Sequence, residues 1–256
     1  MDKAERQQRI IDLVQRRGEA RLADLEVDAA ASAVTLRRDL RELAARGRIS
    51  YARGVARART RHTLEPSFHE KSRIAMIEKT LIGRAAAELV MDGDAVIVGA
   101  GTTTLEFATQ LVGKQIQVWT NSLLVADALA DAATIDVHLA GGEVRGNTRA
   151  LVGSRAERFF TGLRAPFAFL SGNGFTIERG LTTPNARVAE MDRAMAASAA
   201  EVVALVDHTK MGAESLITTV PTSHVSRLIT DDAASSALVD RGRRAGLVID
   251  VVSAVG

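Results

Sequence analysis

Arg37, Arg38 and Arg41 place three guanidinium groups within five positions, and at 3.6 residues per turn they gather on one side of a helix. Ser32, Val34 and Thr35 stand at the start of the same stretch. Arginines in this arrangement suit forked contacts to phosphates and to guanine edges in a major groove, with Ser32 and Thr35 as shorter polar contacts. A basic helix face often does no more than keep a protein soluble, so the helix must be weighed with its surroundings. A second concentration of chemistry is Gly99-Ala100-Gly101-Thr102-Thr103-Thr104. Glycines allow tight turning, and the free amides of a helix start beside threonine hydroxyls make an anion cradle. The third glycine of a dinucleotide fingerprint and the Gly-Lys-Ser/Thr of a Walker A loop are both missing, so a simple phosphate is expected rather than a nucleotide. Similar polar clusters recur at Thr120-Asn121-Ser122, Gly141-Gly142, Gly172-Asn173-Gly174 and Asp207-His208-Thr209-Lys210, where Lys210 offers charge for an anion. Any one of them has the composition of an ordinary turn; the series says more than its members.

The elements that position these groups can be read outward. Leu36, Leu40 and Leu43 fall at i, i+4 and i+7, opposite the arginines, with Ser32 as N-cap and Gly47 just past the end. Upstream, Ala4 to Arg17 carries Ile10, Leu13 and Val14 at helical spacing and stops at Gly18. Leu22, Leu25 and Ala29 then mark a second short helix before the small-residue turn Ala30-Ala31. Helix, helix, tight turn and basic helix is the order of a helix-turn-helix unit. Arg48 to Gly54 is expected to form a hairpin wing, with Arg53 as a further DNA contact.

After residue 71 the pattern alternates. A helix is expected over 72–89, followed by apolar runs at 95–98, 116–119, 135–139, 167–170, 202–206, 228–229 and 247–252, with helical stretches between most of them. Continuous Val/Ile-rich runs separated by helices predict a mostly parallel sheet covered on both faces, which is an α/β fold. Ligands of such sheets bind at the carboxyl ends of the strands, where the polar clusters fall. The expected division is a winged helix-turn-helix domain over 1–56, a linker over 57–71 containing Pro66, His62 and His69, and an α/β effector-binding domain over 72–256.

Charge follows the same division. Residues 1–61 hold 15 Lys and Arg against 9 Asp and Glu, and the remainder 18 against 22. A basic head on a mildly acidic body predicts a polyanion partner, double-stranded DNA, for the head alone. The chain of 256 residues has no cysteine, which excludes a disulfide framework and a thiolate metal site. No long uncharged apolar run and no secretory start are present, so no membrane association is expected and the cytoplasm is the expected compartment. No metal or other cofactor is called for.

Together these stretches resemble the deoxyribose-operon (DeoR) family of bacterial repressors. In the head the likeness is carried by Q-Q-R-I near the start, T-L-R-R-D-L at 35–40 and the wing glycine at 54. In the body it is carried in order by G-T-T, T-N-S, G-G, A-L-V-G at 150–153, G-L-T-T-P-N at 180–185 and D-x-x-K at 207–210. The resemblance implies a sensor domain similar to ribose-5-phosphate isomerase that takes a phosphorylated sugar or related anionic metabolite. Gly101, Thr102, Thr103, Thr104, Asn121, Ser122, Gly141, Gly142, Asn173 and Lys210 are then the expected effector contacts. It also implies a repressor of a carbohydrate-metabolism operon; because one winged head reads few base pairs, a homodimer or homotetramer is expected. The chain departs from the family pattern at Gly99, Asn173 and Val188, where acids are usual, and at Asp192, where a lysine is usual. Fewer carboxylate acceptors for sugar hydroxyls are therefore expected in the pocket. The alternative is an isomerase-like enzyme with a basic appendage, but acid–base work needs positioned carboxylates, and these departures remove several candidates.

Overall fold

A computed structural model describes residues 3–17, 19–28, 31–45, 49–52, 54–58 and 65–254. The chain forms two compact units, residues 1–61 and 62–256.

The head contains α1 (Lys3–Arg17), β1 (Glu19–Arg21), α2 (Leu22–Asp28), α3 (Ala33–Ala45), β2 (Ile49–Ala52) and β3 (Val55–Ala58). Leu36, Leu40 and Leu43 are buried with Ile10, Ile11, Val14 and Leu25 in one cluster. Truncating such a leucine to alanine typically costs ~2–5 kcal/mol, a large share of a small domain's stability. The wing is longer than its expected span: β2 and β3 pair antiparallel from Ile49↔Ala58 to Ala52↔Val55. Gly54 takes the turn at φ 77°, a conformation that glycine adopts cheaply. Also absent from the sequence reading is β1, which pairs with β3 and completes a three-stranded sheet.

The body opens with α4 (Phe68–Ser72) and α5 (Met76–Ala87). Its main sheet contains β4 (Ala95–Val98), β5 (Ile116–Thr120), β6 (Ile135–Leu139), β9 (Ala165–Leu170), β12 (Ala199–Leu205), β14 (Arg227–Asp231) and β15 (Val248–Val252). These strands lie in the order β15-β14-β12-β9-β4-β5-β6, every pair parallel. Alternation along each strand explains the unbroken apolar runs. Val96, Val98, Phe169, Val203 and Leu205 pack on one face with Ile82 of α5 and Phe107 of α6 (Thr102–Thr109). Ile97, Ala168, Leu170, Val202 and Ala204 pack on the other with Phe160 of α8 (Ser154–Phe160) and Met191 and Met195 of α9 (Ala186–Ala197). The crossover helix α7 (Leu123–Leu129) follows β5.

Two small antiparallel pieces stand outside the sequence reading. One is the hairpin β7 (Glu143–Arg145) and β8 (Ala150–Val152); the other joins β10 (Gly174–Thr176), β11 (Gly180–Thr183) and β13 (Ile217–Val220). The chain ends through α10 (Ser236–Arg244) into β15. The single helix expected over 72–89 is instead broken at Ala75, which sits in the left-handed region at φ 50°. The stretch expected as linker is also structured from Glu65 onward: Phe68 N donates to Asn147 O at 2.9 Å, and Arg145 pairs with Glu65. Among the described residues no helix is long and apolar enough to cross a membrane, and no group of three or more His, Cys, Asp or Glu could hold a metal ion.

Candidate functional site

In the head, α3 begins where Ser32 Oγ accepts from Thr35 N at 3.4 Å and Ser32 O accepts from Leu36 N at 3.0 Å. Ser32 and Thr35 also share a hydroxyl–hydroxyl bond of 3.1 Å, so both serve the helix start as well as its polar face. Arg37, Arg38 and Arg41 are exposed, as is Val34, while the leucines behind them are sealed. That is one wet guanidinium front on a rigid apolar back. Arg53 lies outside the described residues, as do Gly18, Ala29, Ala30, Gly47 and Arg48 of the expected turn and wing.

In the body, the carboxyl ends of β4, β5 and β9 and the loop after β12 border a cleft. Gly101, Thr102, Asn121, Asn173 and Lys210 of the expected set line it together. Gly101 precedes α6, whose first amides have no acceptor within the helix and face outward with the positive end of its dipole. Thr102 Oγ1 is buried there without a protein hydrogen-bond partner. Lys210 Nζ reaches Ser171 Oγ at 3.4 Å and Asp207 Oδ2 at 3.5 Å. Burial pushes the Asp207 carboxyl up, but Lys210, two hydrogen bonds from Thr209 and the nearby Lys79 outweigh it and hold the group below the usual carboxylate range.

The rest of the expected set is placed differently. Asn121 is committed at both ends: its Oδ1 accepts from Ala100 N at 3.0 Å and its Nδ2 donates to Leu151 O at 3.1 Å, so it braces the loops more than it offers them. Thr104 Oγ1 donates to Gly101 O at 3.2 Å. Thr103 is fully buried and outside the lining. Ser122 caps α7, accepting from Val125 N at 3.2 Å. Gly141 and Gly142 are also outside the lining. Gly142 is required by its φ of 141° and by Val152 O, which would lie 2.7 Å from any added Cβ.

Several lining residues escaped the sequence reading, namely Glu65, Phe68, Lys71, Thr148 and Ser171, while Asp192, noted only as a departure from the family pattern, lines the cleft as well. Two of the neutral departures, Asn173 and Val188, do line the cleft. Position 99 does not line it at all, since a Cβ there would meet Leu170 Cδ2 at 2.8 Å, while Glu65 and Asp192 do. Burial pushes the Asp192 carboxyl up to about 8, against the hydrogen bond from Thr219, so near neutrality it is an uncharged acid able to donate. Burial likewise pushes Lys71 down to about 8, with Glu65 opposing and Lys210 and Arg145 assisting. Thr148 Oγ1 is a second buried hydroxyl without a protein partner. One signal for this wall was present in the sequence: Ser67-Phe68-His69-Glu70 is a capping box, and Ser67 Oγ accepts from Glu70 N at 3.2 Å while Glu70 Oε2 accepts from Ser67 N at 2.9 Å.

Comparison with known proteins follows both units. The sequence profile of the DeoR-like helix-turn-helix domain matches residues 6–62, and that of the DeoR C-terminal sensor domain matches residues 74–232. The chain is 34% identical to the HTH-type transcriptional regulator YgbI of Escherichia coli over 92% of this chain and 94% of that one. It is 32% identical to the lactose phosphotransferase system repressor of Streptococcus mutans over 90% and 93%. Among solved structures, ribose-5-phosphate isomerase A of Methanocaldococcus jannaschii is similar over 54% of this chain and 55% of its own, at 16% identity and a TM-score of 0.41. The relatives that match along their length are regulators, and the isomerase alternative is set aside. The chain belongs to the DeoR family of DNA-binding transcriptional regulators, with a helix-turn-helix head and a C-terminal sensor domain.

Proposed function

We propose that this regulator represses a carbohydrate-metabolism operon, binds its double-stranded operator as a homo-oligomer through α3, and responds to a phosphorylated sugar or related anionic metabolite held in the body cleft. The reading rests most heavily on Thr102. Its hydroxyl is buried without a protein partner at the amino end of α6, in the same cleft lining as Lys210. A helix start, a hydroxyl and a cation converging on one space favour a phosphate. The Streptococcus relative, a lactose phosphotransferase system repressor, supports both repression and a sugar system. In the head, Arg37, Arg38 and Arg41 are the base and phosphate readers, with Ser32 and Thr35 at the helix start and Arg53 on the wing. Gly101, Thr102, Asn173 and Lys210 are the effector contacts closest to this picture.

The test is a mobility-shift titration on DNA flanking the gene, with and without a panel of pentose and hexose phosphates. A sequence-specific shift that at least one sugar phosphate weakens tenfold or more supports the reading. Specific binding that no member of the panel alters removes the effector half, and tightening by the effector removes repression relieved by ligand.

A further inference from the structure

The cleft holds a second unsatisfied hydroxyl, on a wall that a phosphate at α6 leaves unused. Among the described residues, Thr102, Thr103, Thr148 and Thr230 each bury a hydroxyl without a hydrogen-bond partner. Of these, only Thr102 and Thr148 line the cleft. Thr102 belongs to the amino end of α6. Thr148 stands in the turn of the β7–β8 hairpin and is 9% exposed. A buried hydroxyl left without a partner is costly, and it can both donate and accept. The group that satisfies it in both senses is another hydroxyl.

The hairpin fixes Thr148 relative to α6. Thr148 N donates to Arg145 O at 3.2 Å, and Arg149 N donates to the same carbonyl at 2.8 Å. Arg149 closes the turn in the left-handed region at φ 57°, which residues with a side chain seldom adopt. Asn121 then ties the hairpin to the loop before α6. Its Oδ1 accepts from Ala100 N, its Nδ2 donates to Leu151 O, and its backbone O accepts from Leu151 N at 2.7 Å. The residue before Thr148 is held as well: Asn147 O accepts from Phe68 N, and Asn147 Nδ2 donates to Glu65 O. Thr102 and Thr148 are thus two anchored points in one cleft, and groups held in place before binding lose little freedom on it.

Resting on the reading of the cleft as a phosphate site, we propose that Thr148 sets specificity for what the phosphate carries, its hydroxyl pairing with a sugar hydroxyl while the phosphate sits at Thr102. The ligand class is accordingly a phosphorylated sugar or polyol that reaches both walls. Inorganic phosphate meets only the wall at α6.

The experiment is calorimetry on the full chain, with ribose 5-phosphate, glucose 6-phosphate, fructose 6-phosphate and inorganic phosphate as probes. Thr148→Val keeps the shape and removes the hydroxyl, Thr148→Ser restores it, and Thr148→Ala takes the place of a valine variant that does not fold. For a sugar phosphate that binds the wild type, Thr148→Val is expected to lose about threefold to tenfold in affinity, the worth of one neutral hydrogen bond. Thr148→Ser is expected to recover it. Inorganic phosphate is expected to bind the wild type and Thr148→Val alike, a split that a general loosening of the cleft does not produce. Wild-type affinity for sugar phosphates in Thr148→Val overturns the proposal, as does an equal loss for inorganic phosphate or a wild type that binds inorganic phosphate alone. Each of these leaves the phosphate reading of the cleft standing. Failure of every probe to bind the wild type overturns both.

Discussion

Asp39 lies on α3 yet is buried, and Arg6 Nε of α1 donates to its Oδ2 at 2.7 Å while Gln7 Nε2 donates to Oδ1 at 3.1 Å. The acid within Arg37-Arg38-Asp39 thus belongs to the back of the helix, where it latches α1 to α3. Removing one partner of a buried pair leaves the other charge desolvated, at a typical cost of about 3–5 kcal/mol. Asp39→Ala is therefore expected to unfold the head and abolish operator binding while Trp119, the chain's single tryptophan and part of the body, keeps its wild-type emission. Circular dichroism and fluorescence on the same sample check this; a normally folded head in the variant refutes the latch.

The arginines on the opposite side make the contrasting prediction. Arg37→Ala with Arg38→Ala removes exposed groups that no described contact ties to the core. Loss of a bidentate base contact is worth about 1–3 kcal/mol of discrimination. The double variant should keep the wild-type thermal transition and lose sequence-specific binding, with a shallower salt dependence. Retained specificity in a competition titration against mixed-sequence DNA assigns the reading to another element.

How much of this was legible depends on the distance over which residues cooperate. The leucine back and arginine front of α3 sit within one helix, so period alone placed them, and burial of Leu36, Leu40 and Leu43 agrees. The strands of the main sheet were legible because helices cover both faces, leaving continuous apolar runs. The hairpin β7–β8 was not, because three-residue strands of mixed polarity such as Glu143-Val144-Arg145 carry no period. The cleft shows the same limit. Gly101 and Thr102 announce themselves by composition, whereas Lys71, Thr148 and Asp192 become neighbours only through topology. Asn121 and Ser122 look like ligand contacts in sequence, yet their polar atoms are used to brace a loop and cap a helix.

Assembly follows from the size of the reading head. One winged head spans few base pairs, so a two-fold dimer or a tetramer is expected on half-sites spaced by about one helical turn or a multiple of it. Light scattering at micromolar concentration, with and without operator DNA, checks this. A monomer in both conditions excludes the arrangement.

The pH dependence of stability should carry the signature of the cleft. Asp192 titrates near 3.8 when exposed and at about 8 when folded. Between those values the folded state holds a proton that the unfolded chain has released, so stability falls as pH rises toward 8. Lys71 and Lys79 behave oppositely: from an ordinary value of 10.5 burial brings both to about 8. Above pH 8 the folded state has released protons that the unfolded chain still binds, so stability recovers as pH rises. The body should therefore be least stable near pH 8, with limiting slopes of about 1.4 kcal/mol per pH unit for each group. Asp192→Asn keeps the shape and removes the acid, so it should flatten the limb below pH 8, raise stability at pH 7.5 and leave the alkaline limb in place. Urea titrations followed by Trp119 emission across pH 5–10 read each limb separately. A wild type whose stability rises steadily from pH 5 to 8, or a variant with an unchanged acid limb, rules out a buried protonated Asp192.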